Sequence, residues 1–433
     1  MYSPARVSVI EVMYSSLWLD TLFVASAAVL WFMIVYQLLL FINGYLYSRR
    51  DAWIIPSLPP GLDWPMVSIL VPARNEARVI TGTLKHLCAL DYPADRMEII
   101  IVDDGSQDGT GDIVDGLAAQ DARIHCLRVP PHLGGRGKSA ALKLAVEASK
   151  HELIAIYDAD NRPESDSLRA LVAALVSDPN LAATVGKFRC INRSRNLLTR
   201  FINIECLAFQ WIMQAGRWSL LGVTTLPGTN FVIRRSVLKE VDGWDEKALT
   251  EDAELTIRIY ETGRLIGFVP RAVTWEQEPE KLGTWFRQRT RWARGHNYVL
   301  AKHIRRLLVL RPRVIAFELL YTLLLYYAVC AAIFTSDILF VMAGFGFVSI
   351  HAIGPYSHIW VLAFLLFVLE VSITLSREKD EDSFFNLVLV VFAYFTYCQL
   401  WVVVVARAFI DDVILRRKKT WAKTERFAEM REQ

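Results

Sequence analysis

Hydrophobic and polar positions divide this chain into three stretches. No charged residue occurs from Thr21 to Ile42, and after Arg313 the chain is apolar almost to Ala406, whereas residues 65–280 read like a water-soluble domain. At about 1.5 Å per residue the first run crosses a hydrocarbon core of roughly 30 Å as a helix. It is too long for a signal-peptide core, and no small-residue cleavage site follows it. It ends in Tyr45, Tyr47, Arg49 and Arg50, an aromatic belt with a basic flank that marks a cytoplasmic end. The N-terminus is therefore expected outside and the middle domain inside. After Arg313 we expect four spans, at 314–335, 337–353, 358–376 and 384–406, punctuated by Gly354-Pro355 and the charged loop Arg377–Asp382. The second is short and carries Gly344 and Gly346, so a re-entrant segment is its alternative. An even count returns the basic tail Arg416–Lys419 to the cytoplasm. Glu318 and Glu370 fall in or near these spans, where a charge is either functional or drawn to the interface.

In the middle stretch, short apolar runs alternate with helical periodicity. Val67–Val71, Glu98–Val102, Ile124–Val129 and Leu153–Tyr157 read as strands. Residues 76–90, 109–119 and 139–148 read as helices. Alternation of this kind predicts a largely parallel sheet covered on both faces, with ligands at the C-terminal ends of its strands. Asp103 and Asp158 each stand at such an end.

Composition narrows the function. A net charge of +3 is not that of a nucleic-acid binder, although basic residues cluster at Arg49-Arg50, from Arg287 to Arg313, and at Arg416–Lys419. The six cysteines form no C-x-x-C pair and no zinc-like spacing with histidine, so they are expected as reduced thiols.

Four short patterns carry candidate chemistry. Asp158-Ala159-Asp160 offers hard oxygen ligands to a divalent cation, although two acids in a solvated loop is the plainer reading. The run Gly134–Ser139 is not a phosphate loop, because that pattern needs glycine where His132 stands; Lys138 at a helix start still favours a diphosphate, and a plain loop competes equally. Thr250-Glu251-Asp252 opens an amphipathic helix and is either a cap with acids in the first turn or a seat for a general base. Gln288-Arg289-Thr290-Arg291-Trp292 lies in an aromatic and basic segment that suits an interfacial helix. Arg291 can also grip a diphosphate, and Trp292 can face a sugar ring.

In their order along the chain, these elements resemble the membrane-integrated family 2 glycosyltransferases, the group of cellulose, chitin, hyaluronan and poly-N-acetylglucosamine synthases. The matching segments are Val67–Glu76 (VSILVPARNE), Asp103–Thr110 (DDGSQDGT), Lys138, Asp158–Asp160 (DAD), Thr250–Asp252 (TED) and Gln288–Trp292 (QRTRW). The resemblance implies a GT-A-like α/β nucleotide-sugar domain beside an α-helical transmembrane region and amphipathic interface helices. It implies that Asp103 binds the uracil of a UDP-sugar with Pro72 and Glu76 nearby, and that Lys138 and Arg291 bind the diphosphate. Asp158 would contact the nucleotide, and Asp158 and Asp160 would hold Mg2+ or Mn2+. Asp252 would be the base, with Glu251, Gln288 and Trp292 at the acceptor. Leu226–Asn230 takes the place of an acceptor-side loop, but lacks the cysteine or double aromatic of some cellulose synthases.

The implied activity is inverting, metal-dependent transfer from a UDP-sugar to a growing β-linked polysaccharide. It would be processive and coupled to export through a channel lined by aromatics such as Trp211, Trp218 and Trp292. Non-processive glycolipid synthesis is the alternative, and a non-enzymatic polysaccharide transport or binding subunit is the reading from another class. The expected divisions are a membrane helix at 1–48, the transferase domain at 65–280, interface helices at 281–312, membrane helices at 313–410 and a cytoplasmic tail at 411–433. The tail is too short for a regulatory domain, so control or export would need an accessory subunit. Trp421–Arg426 is expected to fold back on the domain or the bilayer, and a bacterial inner membrane is the expected site.

Overall fold

Buried strands with continuous apolar runs send alternate side chains to opposite faces of a sheet, so both faces need covering. In the computed structural model, which describes residues 4–50, 57–306, 313–350 and 356–417, this is what the middle domain does. Strands β1 (Val67–Ala73), β2 (Met97–Asp104), β3 (Ile124–Val129), β4 (Leu153–Ile156), β5 (Arg162–Pro163), β6 (Leu181–Cys190), β7 (Phe231–Arg234) and β8 (Leu265–Glu276) form one sheet in the order β3-β2-β1-β4-β7-β6-β8-β5. β1 pairs in parallel with β2 and β4, as do β2 with β3 and β6 with β8; β7 and β5 run antiparallel to their neighbours. Ile69, Val71, Ile99 and Ile101 pack into one core, and Leu70, Ile100, Val102, Ile154 and Ile156 into the other.

Ahead of the sheet lies α1 (Pro4–Arg50). Around it run α2 (Ile80–Cys88), α3 (Thr110–Ala118), α4 (Lys138–Ala148), α5 (Ser167–Ser177), α6 (Leu197–Ala208), α7 (Ala215–Leu221), α8 (Arg235–Glu240), α9 (Glu251–Glu261) and the long α10 (Leu282–His303). Then come α11 (Arg313–Leu323), α12 (Cys330–Gly344), α13 (Tyr356–Leu375), α14 (Phe384–Phe395) and α15 (Tyr397–Phe409). A π-helical stretch, Phe209–Gln214, joins α6 to α7, and another, Leu324–Val329, joins α11 to α12.

The second stretch corrects the expected spans. α11, the π turn and α12 form one unbroken helical run, so 314–335 and 337–353 are not two spans; the residues after 350 in the latter lie outside the described set. No proline or glycine interrupts 314–343, and a π turn absorbs the irregularity without ending the helix. Among the described residues, three helices are long and apolar enough to cross a membrane: Leu17–Arg50, Leu325–Gly344 and Phe384–Ile414. The last bends at Thr396, where φ is −122° and ψ −76°, and both its ends are tied to the middle domain. At its start Asn386 donates to Glu381, whose carboxylate meets Arg193 at 3.1 Å; at its far end Asp412 accepts from Arg294 at 2.7 Å. Arg294 also donates to the carbonyl of Arg417, so the described chain ends on the domain's side. The expected packing of Trp421–Arg426 lies outside the described residues.

Close contacts weld helices to domain. α1 crosses α7 where only glycine fits: a Cβ on Gly44 would stand 2.1 Å from the carbonyl oxygen of Trp211, and one on Gly216 2.4 Å from that of Leu40. Glu318, expected as a costly charge, bonds Arg217 at 3.0 Å and Tyr36 at 2.8 Å, and Glu370 is buried. The 377–382 loop docks through Glu378, which accepts from Trp211 at 2.8 Å and pairs with the buried Lys187.

Candidate active site

The order of the strands reverses between the parallel neighbours β1 and β4, and sheets of this kind bind ligands at such a switch. Asp158, two residues past β4, meets Lys138 there, at the first residue of α4: Nζ donates to Asp158 Oδ1 at 2.5 Å and to the carbonyl of Gly228 at 2.8 Å. The Asp158 N–H is held by Thr229 Oγ1 at 3.0 Å, so β4 and the 226–230 loop are fastened together. Gly228 has φ +89°, and a Cβ there would sit 3.1 Å from Asp252 Oδ2 and 3.4 Å from Lys138 Nζ. The loop thus lies close against base candidate and lysine, in a backbone conformation that favours glycine. Asp160 is buried and accepts from the Gln277 N–H at 3.3 Å.

Thr250, a possible cap, makes no side-chain cap bond; α9 instead starts with Glu251 and Asp252 turned into the site. Burial, then the neighbouring Asp252, pushes the Glu251 carboxyl up to about 7 against the pull of Lys138, which lies 3.9 Å away. Burial also raises Asp252, opposed by the Ala253 N–H and by Lys138. Burial works against the Lys138 ammonium, but Asp158, Glu251 and Asp252 outweigh it and lift its pKa. Two acids held above the usual carboxylate range beside a charged lysine are arranged for proton transfer.

Ten of the expected site residues line one cavity of about 770 Å³: Pro72, Glu76, Lys138, Asp158, Asp160, Glu251, Asp252, Gln288, Arg291 and Trp292. Asp103 is the exception. Its carboxylate turns toward α3, accepting the Ser106 N–H at 3.0 Å and lying against Gly111, while Asp104 reaches the cavity. Asp104 accepts from the N–H groups of Gly135 at 2.9 Å and Gly137 at 3.4 Å, and so shapes the glycine turn that positions Lys138. The aromatic channel is also corrected: Trp292 lines the cavity, whereas Trp211 and Trp218 pack into the protein core and do not. Periodicity could not have separated them, because all three sit on helical stretches.

Sequence reasoning missed Arg74, Glu205, Arg217 and Arg289. Arg74 lines the cavity beside Gly135. Arg289 is 1% exposed, donates to Glu205 at 2.7 Å and lies 4.0 Å over the Trp292 ring. Its burial opposes the charge, but Glu205 and its neighbours hold the guanidinium firmly protonated. Its place inside Gln288–Trp292 was the available signal; Glu205 had none, since it lies in an otherwise ordinary helix.

The family model described as "Glycosyltransferase like family 2" matches residues 65–295. Probable glycosyltransferase YdaM of Bacillus subtilis is 43% identical over 414 residues, spanning 94% of this chain and 98% of its own. A β-monoglucosyldiacylglycerol synthase of Synechocystis is 33% identical across 54% of this chain and 48% of its own. A poly-β-1,6-N-acetyl-D-glucosamine synthase of Staphylococcus epidermidis is 30% identical across 54% and 56%. In fold, the chain is similar to the mannosyltransferase PcManGT of Pyrobaculum calidifontis, solved with GDP-Man and Mn2+. That likeness has a TM-score of 0.62 at 21% identity and covers 91% of this chain and 99% of the other.

Proposed function

We propose, from the premise that this chain belongs to glycosyltransferase family 2 and is a hexosyltransferase, that it moves a sugar from a UDP-sugar to an acceptor hydroxyl with inversion, using Asp252 as base. The observation that carries this reading is the meeting of Asp252, Lys138 and Asp158 around Gly228 at the sheet's switch point. Asp252 takes the proton of the acceptor hydroxyl. That oxygen attacks the anomeric carbon on the face opposite the diphosphate. The bond from that carbon to the diphosphate oxygen breaks, and its electron pair leaves with UDP. Lys138 and Arg291 receive the growing negative charge. Arg74 and Asp104, both on the cavity wall, extend the donor side, and Pro72 and Glu76 stand where the nucleoside would lie.

Asp158 and Asp160 fit a divalent cation: both are hard oxygen donors facing one cavity at a strand end. Bound there, Mg2+ or Mn2+ would neutralise charge on the leaving diphosphate. The fold neighbour solved with GDP-Man and Mn2+ supports use of a divalent cation.

Glu251, Gln288 and Trp292 are assigned to the acceptor side, at the cytoplasmic face of an inner membrane. Repeated transfer to a β-linked polymer is the product that the Gln288–Trp292 pattern favours. The withdrawal of Trp211 and Trp218 from the cavity favours instead a single transfer to a membrane acceptor. UDP release by the purified protein in lipid, with Mg2+ or Mn2+, across UDP-glucose, UDP-N-acetylglucosamine, UDP-galactose and UDP-glucuronate, followed by product sizing, tests both. A long chain establishes the polymer, one sugar on an amphiphile establishes the single transfer, and no release with any donor overturns the activity.

A further inference from the structure

Two of the six cysteines meet in the fold, although their spacing along the chain gave no sign of it. Cys190 closes β6, Cys206 lies in α6, and Glu278 follows β8 by two residues. All three are buried. Their two sulfurs and one carboxylate oxygen lie within 4.8 Å of one another, with Cys206 Sγ 3.9 Å from Glu278 Oε1. Two side-chain amides brace this arrangement. Asn192 accepts from the Glu278 N–H at 3.0 Å and donates to the Glu278 carbonyl at 2.8 Å. Gln210 donates to the Cys206 carbonyl at 3.0 Å, and exchanges hydrogen bonds of 2.7 Å with both backbone groups of Phe188 on β6. The backbone that carries the cluster is therefore fixed from two sides, as the supporting partners of a metal site fix its ligands.

The distances suit a tetrahedral ion. With zinc–sulfur bonds of about 2.3 Å and zinc–oxygen bonds of about 2.1 Å, the sulfurs stand about 3.8 Å apart and each about 3.6 Å from the oxygen. Closing this cluster onto an ion thus asks for movements of about an ångström or less, which side-chain rotation supplies. Thiolates are soft donors and select Zn2+ over Mg2+ or Mn2+, the reverse of the all-oxygen pair Asp158 and Asp160. Two thiolates and a carboxylate carry more negative charge than Zn2+ neutralises, and the buried Arg289 guanidinium acts on both sulfurs to offset the surplus. We infer that Cys190, Cys206 and Glu278 form a binding site for one Zn2+ ion, separate from the Asp158–Asp160 site. Cys206 and Glu278 line the cavity and Cys190 does not, so the fourth position is left on the cavity side, to water or a substrate hydroxyl. Three protein ligands with one open position is the arrangement of zinc sites that activate a bound oxygen. Cysteines that only fill space need no carboxylate beside them.

The test uses the full chain in detergent, stripped with a chelator and titrated with Zn2+ or Co2+ under reductant. We expect one Zn2+ per chain, retained against about a hundred-fold excess of Mg2+ or Mn2+. Co2+ in its place should give a thiolate-to-cobalt charge-transfer band in the near ultraviolet. Cys190→Ser and, independently, Cys206→Ser each weaken that band and lower Zn2+ affinity by on the order of a hundred-fold. Asn192→Ala, which disturbs only the brace, lowers affinity by about tenfold, and Asp158→Ala leaves the band in place. Circular dichroism reports that each variant is folded, and the Co2+ spectrum of the unaltered protein decides the matter even where a variant is not. Absence of a thiolate band from that spectrum overturns the inference. So does Zn2+ affinity unchanged in both cysteine variants, or a Cys190–Cys206 disulfide in protein whose thiols were blocked at lysis. None of these readouts involves sugar transfer, so failure of the transferase reading leaves them untouched.

Discussion

The two halves of the cavity are built from the same kinds of helix and strand end, yet they present opposite surfaces. On the domain side, Lys138, Asp158, Asp160, Glu251 and Asp252 crowd around one loop; on the helical side Ile204, Ala208, Phe367 and Val371 predominate, with Gln37, Tyr321, Tyr326 and Tyr397 among them. The charged half hangs on main-chain geometry, in which β4 ends, a glycine turns and α9 begins. The apolar half hangs on how helices lean against one another. A site of the first kind is fixed by a few neighbouring residues, whereas one of the second kind exists only once distant segments have packed.

The sharpest way to break this comparison is Asp252→Asn. If proton removal belongs to the charged half alone, turnover falls by about a thousand-fold or more while UDP binding stays within about twofold. Kinetics of UDP release beside equilibrium UDP binding measure this, and a parallel loss of binding would merge the two roles.

Next in size is the joint between the halves. Lys187 and Glu378 are buried, so Lys187→Met leaves the carboxylate with only Trp211 and the more distant Arg189, at a cost of about 3 kcal/mol. Unfolding in detergent should show that loss, and Glu378→Gln added to it should recover most of it. Recovery failing in the double variant would mean that the loop docks by other means. Gly216→Val should cost less, about 1–3 kcal/mol of overpacking, by pushing α1 from α7. Its signature is lowered thermal stability with donor binding preserved in the fraction that remains folded.

The smallest effect concerns protons. Burial raises the Asp252 carboxyl, and an acid that has gained its proton cannot serve as base. The acid limb of kcat/KM is therefore expected above the usual carboxylate range, with activity lost as pH falls through it. Glu251→Gln removes a negative neighbour and should move the limb to lower pH by a fraction of a unit. A limb that stays in place would separate Glu251 from the titration.

What the sequence revealed follows the same division. Strands β1 to β4 and the carboxylates after them were readable because each is written in consecutive residues, from VSILV through DAD to TED. Which of Asp103 and Asp104 faces the cavity is not written in the run of residues, because the turn after β2 decides it. The continuous α11–α12 run was hidden because a π turn needs no proline or glycine to mark it. Glu205, Arg217 and the apolar wall were beyond reach, since their meaning comes from partners such as Arg289 and Glu318 that lie far away in the chain.

The bent pair α14–α15, fastened to the domain at both ends, has a consequence for how the protein is made. Tyr397 and Trp401 seat against Trp285 of α10, and Asp412 reaches Arg294, so the surface that receives α15 is already synthesised when α15 leaves the ribosome. Val390, Tyr397, Trp401 and Val405 then add their part of the cavity wall. A nascent chain would carry every carboxylate of the site before it carried this wall, and so would be assembled before it was sealed.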